Sequence, residues 1–294
     1  MTIPDTANQR APRRSGISAL LAVTLVVTAC AARDAGHHAA PGTSWTTESG
    51  QVSAGDCTPD DACARVTFSY PAFGNKRLPA ETADALNNWV GGRLSRSFDE
   101  SSRAPSPEAA GREFLEEFER ATRHRPEGGG PDWFDEHKIE VIHDSDQLIS
   151  LAHDRFWYTG GAHPNSTRRL ATFDLESAEE LALDAVLREG VETRLADLQT
   201  HALRRARDLP ADANLADEGF STDADGRVPL SRNFAVVADG WLFRWDAYEI
   251  APYAMGPSEV TLGWKEVANL VRRGSPAGPP DPPKVADDEE DASG

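Results

Sequence analysis

Residues 157–164 read Trp157-Tyr158-Thr159-Gly160-Gly161-Ala162-His163-Pro164. On either side of this stretch the chain reads as strands. Residues 133–143 and 148–158 flank Asp144-Ser145-Asp146-Gln147, whose composition suits a turn. Thr167 to Leu175 continue as a third strand. A hairpin symmetric about the turn sets Glu136 opposite Arg155 and His137 opposite Asp154, two complementary cross-strand pairs. In that register His137 and His153 fall on opposite faces and cannot share an ion.

Upstream, Ala64 to Tyr70 alternate as a strand ending at Pro71. Pro79 to Phe98 carry Leu86, Trp89, Val90, Leu94 and Phe98 at helical spacing. Ser106-Pro107 opens a second helix, serine at the cap and proline in the first turn, with Phe114, Leu115, Phe118 and Ala121 as its apolar stripe. Downstream, Val191 to Arg207 form a long helix and residues 208–227 an acidic loop. Phe234 to Ala238 and Trp241 to Trp245 bracket Asp239-Gly240, a strong hairpin signal. Glu259 to Leu262 are a last short strand, and Trp264 to Val271 a closing helix. The pattern predicts an α+β fold, mainly antiparallel sheet with packed helices.

Two segments carry a resemblance. One is the Tyr158–His163 stretch. The other runs from Asp239-Gly240-Trp241-Leu242-Phe243 to Tyr248-Glu249-Ile250-Ala251-Pro252-Tyr253-Ala254-Met255-Gly256. With Val66 to Pro71 and the Asn-bearing helix Ala85-Leu86-Asn87-Asn88-Trp89, they resemble the RsiV/PdaC-type extracellular domain family, the domain of unknown function 3298 with its upstream half. The resemblance spans residues 52–272, nearly the whole globular part. It implies a wall-facing or sensing domain. In the anti-sigma factor RsiV that domain binds lysozyme, a basic protein, and PdaC-type proteins are peptidoglycan deacetylases with a separate catalytic domain. No such catalytic domain and no sigma-binding segment is expected here.

The N-terminus reads as a lipoprotein signal peptide over residues 1–29. Arg10, Arg13 and Arg14 precede an apolar run of about eleven residues, Ile17 to Val27, too short to span a bilayer. It ends at Val27-Thr28-Ala29-Cys30, which offers small residues for cleavage and a thiol for lipid. Cys30 is the expected lipidation site, placing the chain outside the cytoplasm, and facing the periplasm from the outer membrane in a Gram-negative host. Cys57 and Cys63 then form an even pair suited to a disulfide around a short loop. Residues 30–51 are expected to be a flexible tether, 52–130 and 131–273 two α+β halves, and 274–294 a disordered acidic tail.

The whole chain carries a formal charge of −18, with 48 acidic against 30 basic residues. Residues 1–29 hold Arg10, Arg13, Arg14 and Asp5, so losing that net +2 leaves −20. Such a surface repels nucleic acid and suits a basic partner, though it equally serves solubility. Hydrolase and nucleotide-binding motifs are absent from the sequence. Asp223-Ala224-Asp225-Gly226 resembles a calcium loop but lacks a closing glutamate. The expected function is a lipid-anchored envelope binding module without cofactor or metal, for a lysozyme-like protein or a peptidoglycan-related ligand. A wall-modifying hydrolase or deacetylase and a structural lipoprotein are the alternatives. The candidate contact residues are Tyr158, Gly160, Gly161, His163 and Tyr253. The plainer reading of the same residues, and the favoured one, is a packed turn in which His163 bonds backbone and Tyr253 stacks beside it.

Overall fold

The computed structural model describes residues 45–55, 62–74, 78–97, 101–123 and 130–280. The expected signal peptide, Cys30 and Cys57 lie outside these. Strands β1 (Trp45–Ala54), β2 (Ala64–Phe73), β3 (Trp133–Asp144), β4 (Leu148–Tyr158) and β5 (Asn165–Asp174) form one sheet in that order. The fold is α+β: every pairing in it is antiparallel except β2 with β3. That parallel pair is joined through helices α1 (Ala80–Leu94) and α2 (Pro107–Thr122). A one-turn helix α3 (Leu183–Val186) and α4 (Glu192–Ala206) precede a second, antiparallel sheet of β6 (Phe234–Val237), β7 (Gly240–Trp245) and β8 (Ser258–Gly263). The single turn α5 (Trp264–Val267) follows, shorter than the closing helix expected from the sequence.

Helices α1 and α2 cover one face of the large sheet. Leu86, Val90, Leu94, Phe114, Leu115 and Phe118 pack on Val52, Val66, Phe68, Ile139, Leu151 and Phe173. Each such side chain contributes about 1.5–3 kcal/mol on full burial. The hydroxyl of Ser106 accepts from the Ala109 amide at 3.2 Å, and Pro107 opens the helix as expected. Gly111 permits the close approach, since a Cβ there would stand 2.5 Å from Val52 Cγ2. Asn87 exchanges two hydrogen bonds with the Phe73 backbone, at 3.0 and 2.9 Å, and pins α1 to the end of β2. The second core puts Leu195 and Leu203 of α4 with Trp241, Phe243, Trp245 and Leu262.

Four expectations are corrected. Residues 45–51 belong to β1 rather than to a tether; this edge strand is mostly half-exposed, with only Val52 buried, which hides its alternation. The division expected at 130/131 falls inside the large sheet, because β2 pairs with β3 across it. Residues 274–280 are anchored at Ala277, which is buried with its carbonyl accepting from Trp241 Nε1 at 2.8 Å; residues 281–294 lie outside the described ones. The β6–β7 loop is Ala238-Asp239, since Val237 pairs with Gly240.

The two sheets meet along β5. Its outward amides are capped by side chains: Arg168 N donates to Asp246 Oδ1 at 3.0 Å and Leu170 N to Asn233 Oδ1 at 2.8 Å. Asn233 Nδ2 returns a bond to Arg168 O at 2.7 Å. Ser150 Oγ donates to Val236 O at 2.7 Å, and Val236 N to Thr172 Oγ1 at 2.9 Å.

Gly240 tests the turn. At φ +152° its missing Cβ would fall 2.0 Å from Leu262 O. Gly240→Ala is expected to cost about 2–4 kcal/mol, whereas Gly74→Ala, with nothing within 4 Å, leaves the melting temperature unchanged in calorimetry.

Candidate binding site

The loop 159–164 joins β4 to β5. Gly160 sits at φ +85°, and a Cβ there would press within 3.2 Å of Pro131 Cγ and 3.3 Å of Trp133 Nε1, so this position requires glycine. Gly161 has open space around it. The Tyr158 hydroxyl donates to Gly161 O at 2.9 Å, and its ring lies 6.0 Å from Phe134. His163 stacks on Tyr253 at 3.7 Å with an interplanar angle of 19°. His163 Nδ1 lies 2.8 Å from Pro164 O; a carbonyl only accepts, so Nδ1 carries the proton and Nε2 of the neutral ring is an acceptor. Tyr253 OH donates to the same carbonyl at 2.7 Å.

The structure thus unites His163 with Tyr253 and ties Tyr158 to Gly161, but Tyr158 turns to a second aromatic row with Phe134 and Phe156. Tyr248 completes the first cluster, its ring 5.7 Å from Tyr253 and its hydroxyl 3.4 Å from His163 Nε2. It is 64% exposed and holds φ +71°. A left-handed aromatic residue costs about 1–2 kcal/mol. The buried Asp246 holds this turn: it accepts from Arg168 N and Arg169 Nη1 and receives Arg244 Nε at 3.3 Å, while its own amide donates to Glu249 Oε2 at 2.7 Å.

Ser166 and Thr167, just beyond the loop, also line an open groove of ≈ 660 Å³ across the helix-free face of the large sheet. Gln51, Thr67, Ser69, Glu136 and Lys138 give it polar walls, and Phe156, 42% exposed, an aromatic one. Such a surface offers hydrogen bonds along its length and stacking at its end.

On the other face lies a buried polar chain. Arg155 grips Asp135 with two bonds, Nε to Oδ1 at 2.9 Å and Nη2 to Oδ2 at 2.7 Å. His137 Nε2 stands 3.2 Å from Asp135 Oδ1, and His137 Nδ1 meets His153 Nε2 at 3.1 Å with the rings stacked. The expected register is therefore wrong by one residue: His137 pairs with Arg155 and Glu136 with Phe156. A bulge at residue 142, between the Val141 and His143 pairings, shifts β3 against β4 and brings both histidines to one face. Burial pushes the Asp135 carboxyl up, but hydrogen bonds from His137 and Arg155 outweigh it and hold it below the usual carboxylate range. Burial, then His137, Arg93 and Arg155, push His153 well below the ordinary imidazole value.

The signal missed in the sequence was charge at alternate positions, Asp135 and His137 on one strand and His153 and Arg155 on the next. The calcium-like loop is taken by an internal cation: Arg227 bonds Asp197 at 2.6 Å and also meets Asp225 and Asp223. Cys63 is buried and disulfide-bonded, with Cys57 outside the described residues.

Two outcomes follow from these contacts. Tyr248→Gly relieves the left-handed strain and is expected to raise stability by about 1 kcal/mol in denaturant titration. His153 is depressed when folded, so its contribution is present above the unfolded value near 6.5 and is lost as pH falls below it. Asp144, raised to about 6 by burial and Asp146, acts in the opposite sense. Melting temperature is expected to drop from pH 7.5 to pH 5, and the drop to shrink in His153→Gln.

Comparison with known proteins places this architecture. The family described as "Deacetylase PdaC" matches residues 57–166, and "Protein of unknown function (DUF3298)" matches residues 184–265. A DUF3298 family structure from Bacteroides fragilis superposes with a TM-score of 0.61 at 21% identity, over 78% of this chain and 94% of that one. One from Pseudomonas aeruginosa gives 0.57 at 21%, over 78% and 95%. The peptidoglycan-N-acetylmuramic acid deacetylase PdaC of Bacillus subtilis is 23% identical over 125 residues, 42% of this chain. The chain spans about a quarter, 26%, of the length of that relative. The chain thus carries a PdaC-like region over residues 57–166 and a DUF3298 region over residues 184–265, on the fold of solved DUF3298 family structures.

Proposed function

We propose that this chain is a non-catalytic binding module of the cell envelope, exported and held to a membrane by lipid on Cys30, whose ligand is a peptidoglycan fragment. The observation that carries the reading is the cluster of exposed Tyr248 with half-buried Tyr253 and His163 near a polar open groove. Sugar rings present apolar C–H faces to aromatic side chains and hydroxyls to polar ones, and the two surfaces here offer both. The PdaC relative is named for action on peptidoglycan, which supports a wall ligand. Binding without catalysis suits the side chains already committed elsewhere: Asp135 lies in the Arg155 fork, and His163 spends Nδ1 on Pro164 O.

The net charge of −18 supports a second reading, a basic protein such as lysozyme, because long-range attraction speeds association with a cationic surface.

Co-sedimentation of the full chain with purified cell-wall sacculi tests the first reading. Tyr248→Ala with Tyr253→Ala is expected to weaken retention about tenfold, the loss of roughly 1.4 kcal/mol. Absence of sedimentation beside salt-sensitive retention on immobilised lysozyme would transfer the function to the basic partner. Acetate release from sacculi, lost in His163→Ala, would make the chain an enzyme. Cys30→Ser is expected to move the protein from the membrane to the soluble fraction.

A further inference from the structure

On the helix-free face of the large sheet, side chains fall into rows that cross the strands. Gln51 pairs with Thr67, Thr67 with Glu136, Glu136 with Phe156 and Phe156 with Ser166, which sets one row from β1 to β5. All five of these residues line the groove. Beside them runs a second row of Ser49, Ser69, Lys138, Asp154 and Arg168. Arg244 of β7 enters the groove from the second sheet. At ~4.8 Å between neighbouring strands, a row across five strands is about 19 Å long.

The charged groups of the second row already have partners. Lys138 Nζ meets Glu140 at 2.8 Å, Asp154 meets Arg168 at 3.6 Å, and Arg244 meets Asp246 at 3.3 Å. Glu136 differs: it is exposed and has no ion pair among the described residues. Its cross-strand partner is the exposed Phe156, whose ring is propped by that of Phe134 at 5.1 Å. A lone exposed phenylalanine is ordinary. Here the ring stands beside an unpaired carboxylate, in a hollow that also offers the Gln51 amide and the Thr67 and Ser166 hydroxyls. Those groups fit a hydroxyl-bearing ring: the phenyl takes its C–H face, the carboxylate accepts from neighbouring hydroxyls, and the amide and hydroxyls serve its other polar groups.

We propose that the groove binds the glycan chain of peptidoglycan, as neutral N-acetylated hexosamine units laid across the strands. This rests on the wall-ligand reading and narrows it to the sugar chain, as against the stem peptide. Two features decide between them. The unpaired Glu136 in the middle of the row repels the carboxylates of an acidic stem peptide, whereas a sugar chain brings neutral donors. A β-linked hexosamine is also close to one strand spacing in length, so successive sugars meet successive strands, and about four units span the row. Phe156 then stacks under a unit toward β5, while Gln51 serves an acetamido group at the β1 end.

Isothermal titration of the full chain with the linear tetramer of β-linked N-acetylglucosamine tests this, beside an acidic alanyl-glutamate peptide. Saturable binding of the tetramer is expected, equal at low and high salt because no ion pair forms. Phe156→Ala and Glu136→Ala are each expected to weaken it about tenfold, and Phe156→Tyr to retain it. Melting curves of the variants separate lost binding from lost fold. Failure of the tetramer to bind, affinity unchanged in both alanine variants, or preference for the peptide would each overturn the proposal. If sacculi are retained through Tyr248 and Tyr253 while the tetramer is not bound, the groove inference falls and the wall reading stands. If the tetramer binds and sacculi do not, the groove still takes a hexosamine chain and the wall reading falls.

Discussion

A β-sheet edge presents backbone groups that need partners, and β5 is such an edge. This chain satisfies it with two side chains, Asn233 and Asp246, instead of another strand. Most else follows from that choice. Asn233 leads into β6 and Asp246 ends β7, so capping β5 fixes the second sheet against the first. Asp246 also starts the turn that carries Tyr248 and Tyr253. The turn comes to rest over the loop after β4, where His163 receives it. A buried carboxylate so placed is stable because three donors from Arg168, Arg169 and Arg244 share its charge.

The large sheet has two unlike faces, and each suits a different task. Its open face is broad, polar and shallow, with aromatic rings that an extended ligand can lie against. Its covered face hides a chain of hydrogen bonds from a carboxylate through two imidazoles. The first kind of surface rewards shape and stacking over many weak contacts. The second holds charge in a confined, poorly solvated space, where electrostatic interactions are stronger.

Much of the fold was legible in the sequence because its markers are local. Ser106-Pro107 caps a helix wherever the chain puts it, and the turn-forming stretch Asp144 to Gln147 marks the β3–β4 hairpin. The motif residues were also legible: His163 and Tyr253 meet, in the packed arrangement that the plainer reading anticipated. What escaped notice depends on partners distant in sequence. β1 has one buried side chain and looks like a tether until β2 is beside it. Ala277 looks like tail until Trp241 donates to it. Tyr248 gives no hint in the sequence of its left-handed backbone, which Asp246 and the Ala251 carbonyl impose, the latter accepting from the Tyr248 amide at 3.1 Å. The histidine pair was misplaced because a single bulge leaves no compositional trace, yet reverses which residues face each other.

That bulge makes strand length a determinant of chemistry. Two side chains share a sheet face when an even number of steps separates them by way of a cross-strand partner. The turn alone would place His137 and His153 at odd separation, one inside and one outside. The extra residue in β3 restores even parity, and with it the contact between imidazoles. Removing or adding one residue in this hairpin would exchange interior for surface along β3 without altering a single contact residue. Insertions and deletions, which scans of point substitutions never sample, are thus the changes to which the buried network is most exposed during divergence.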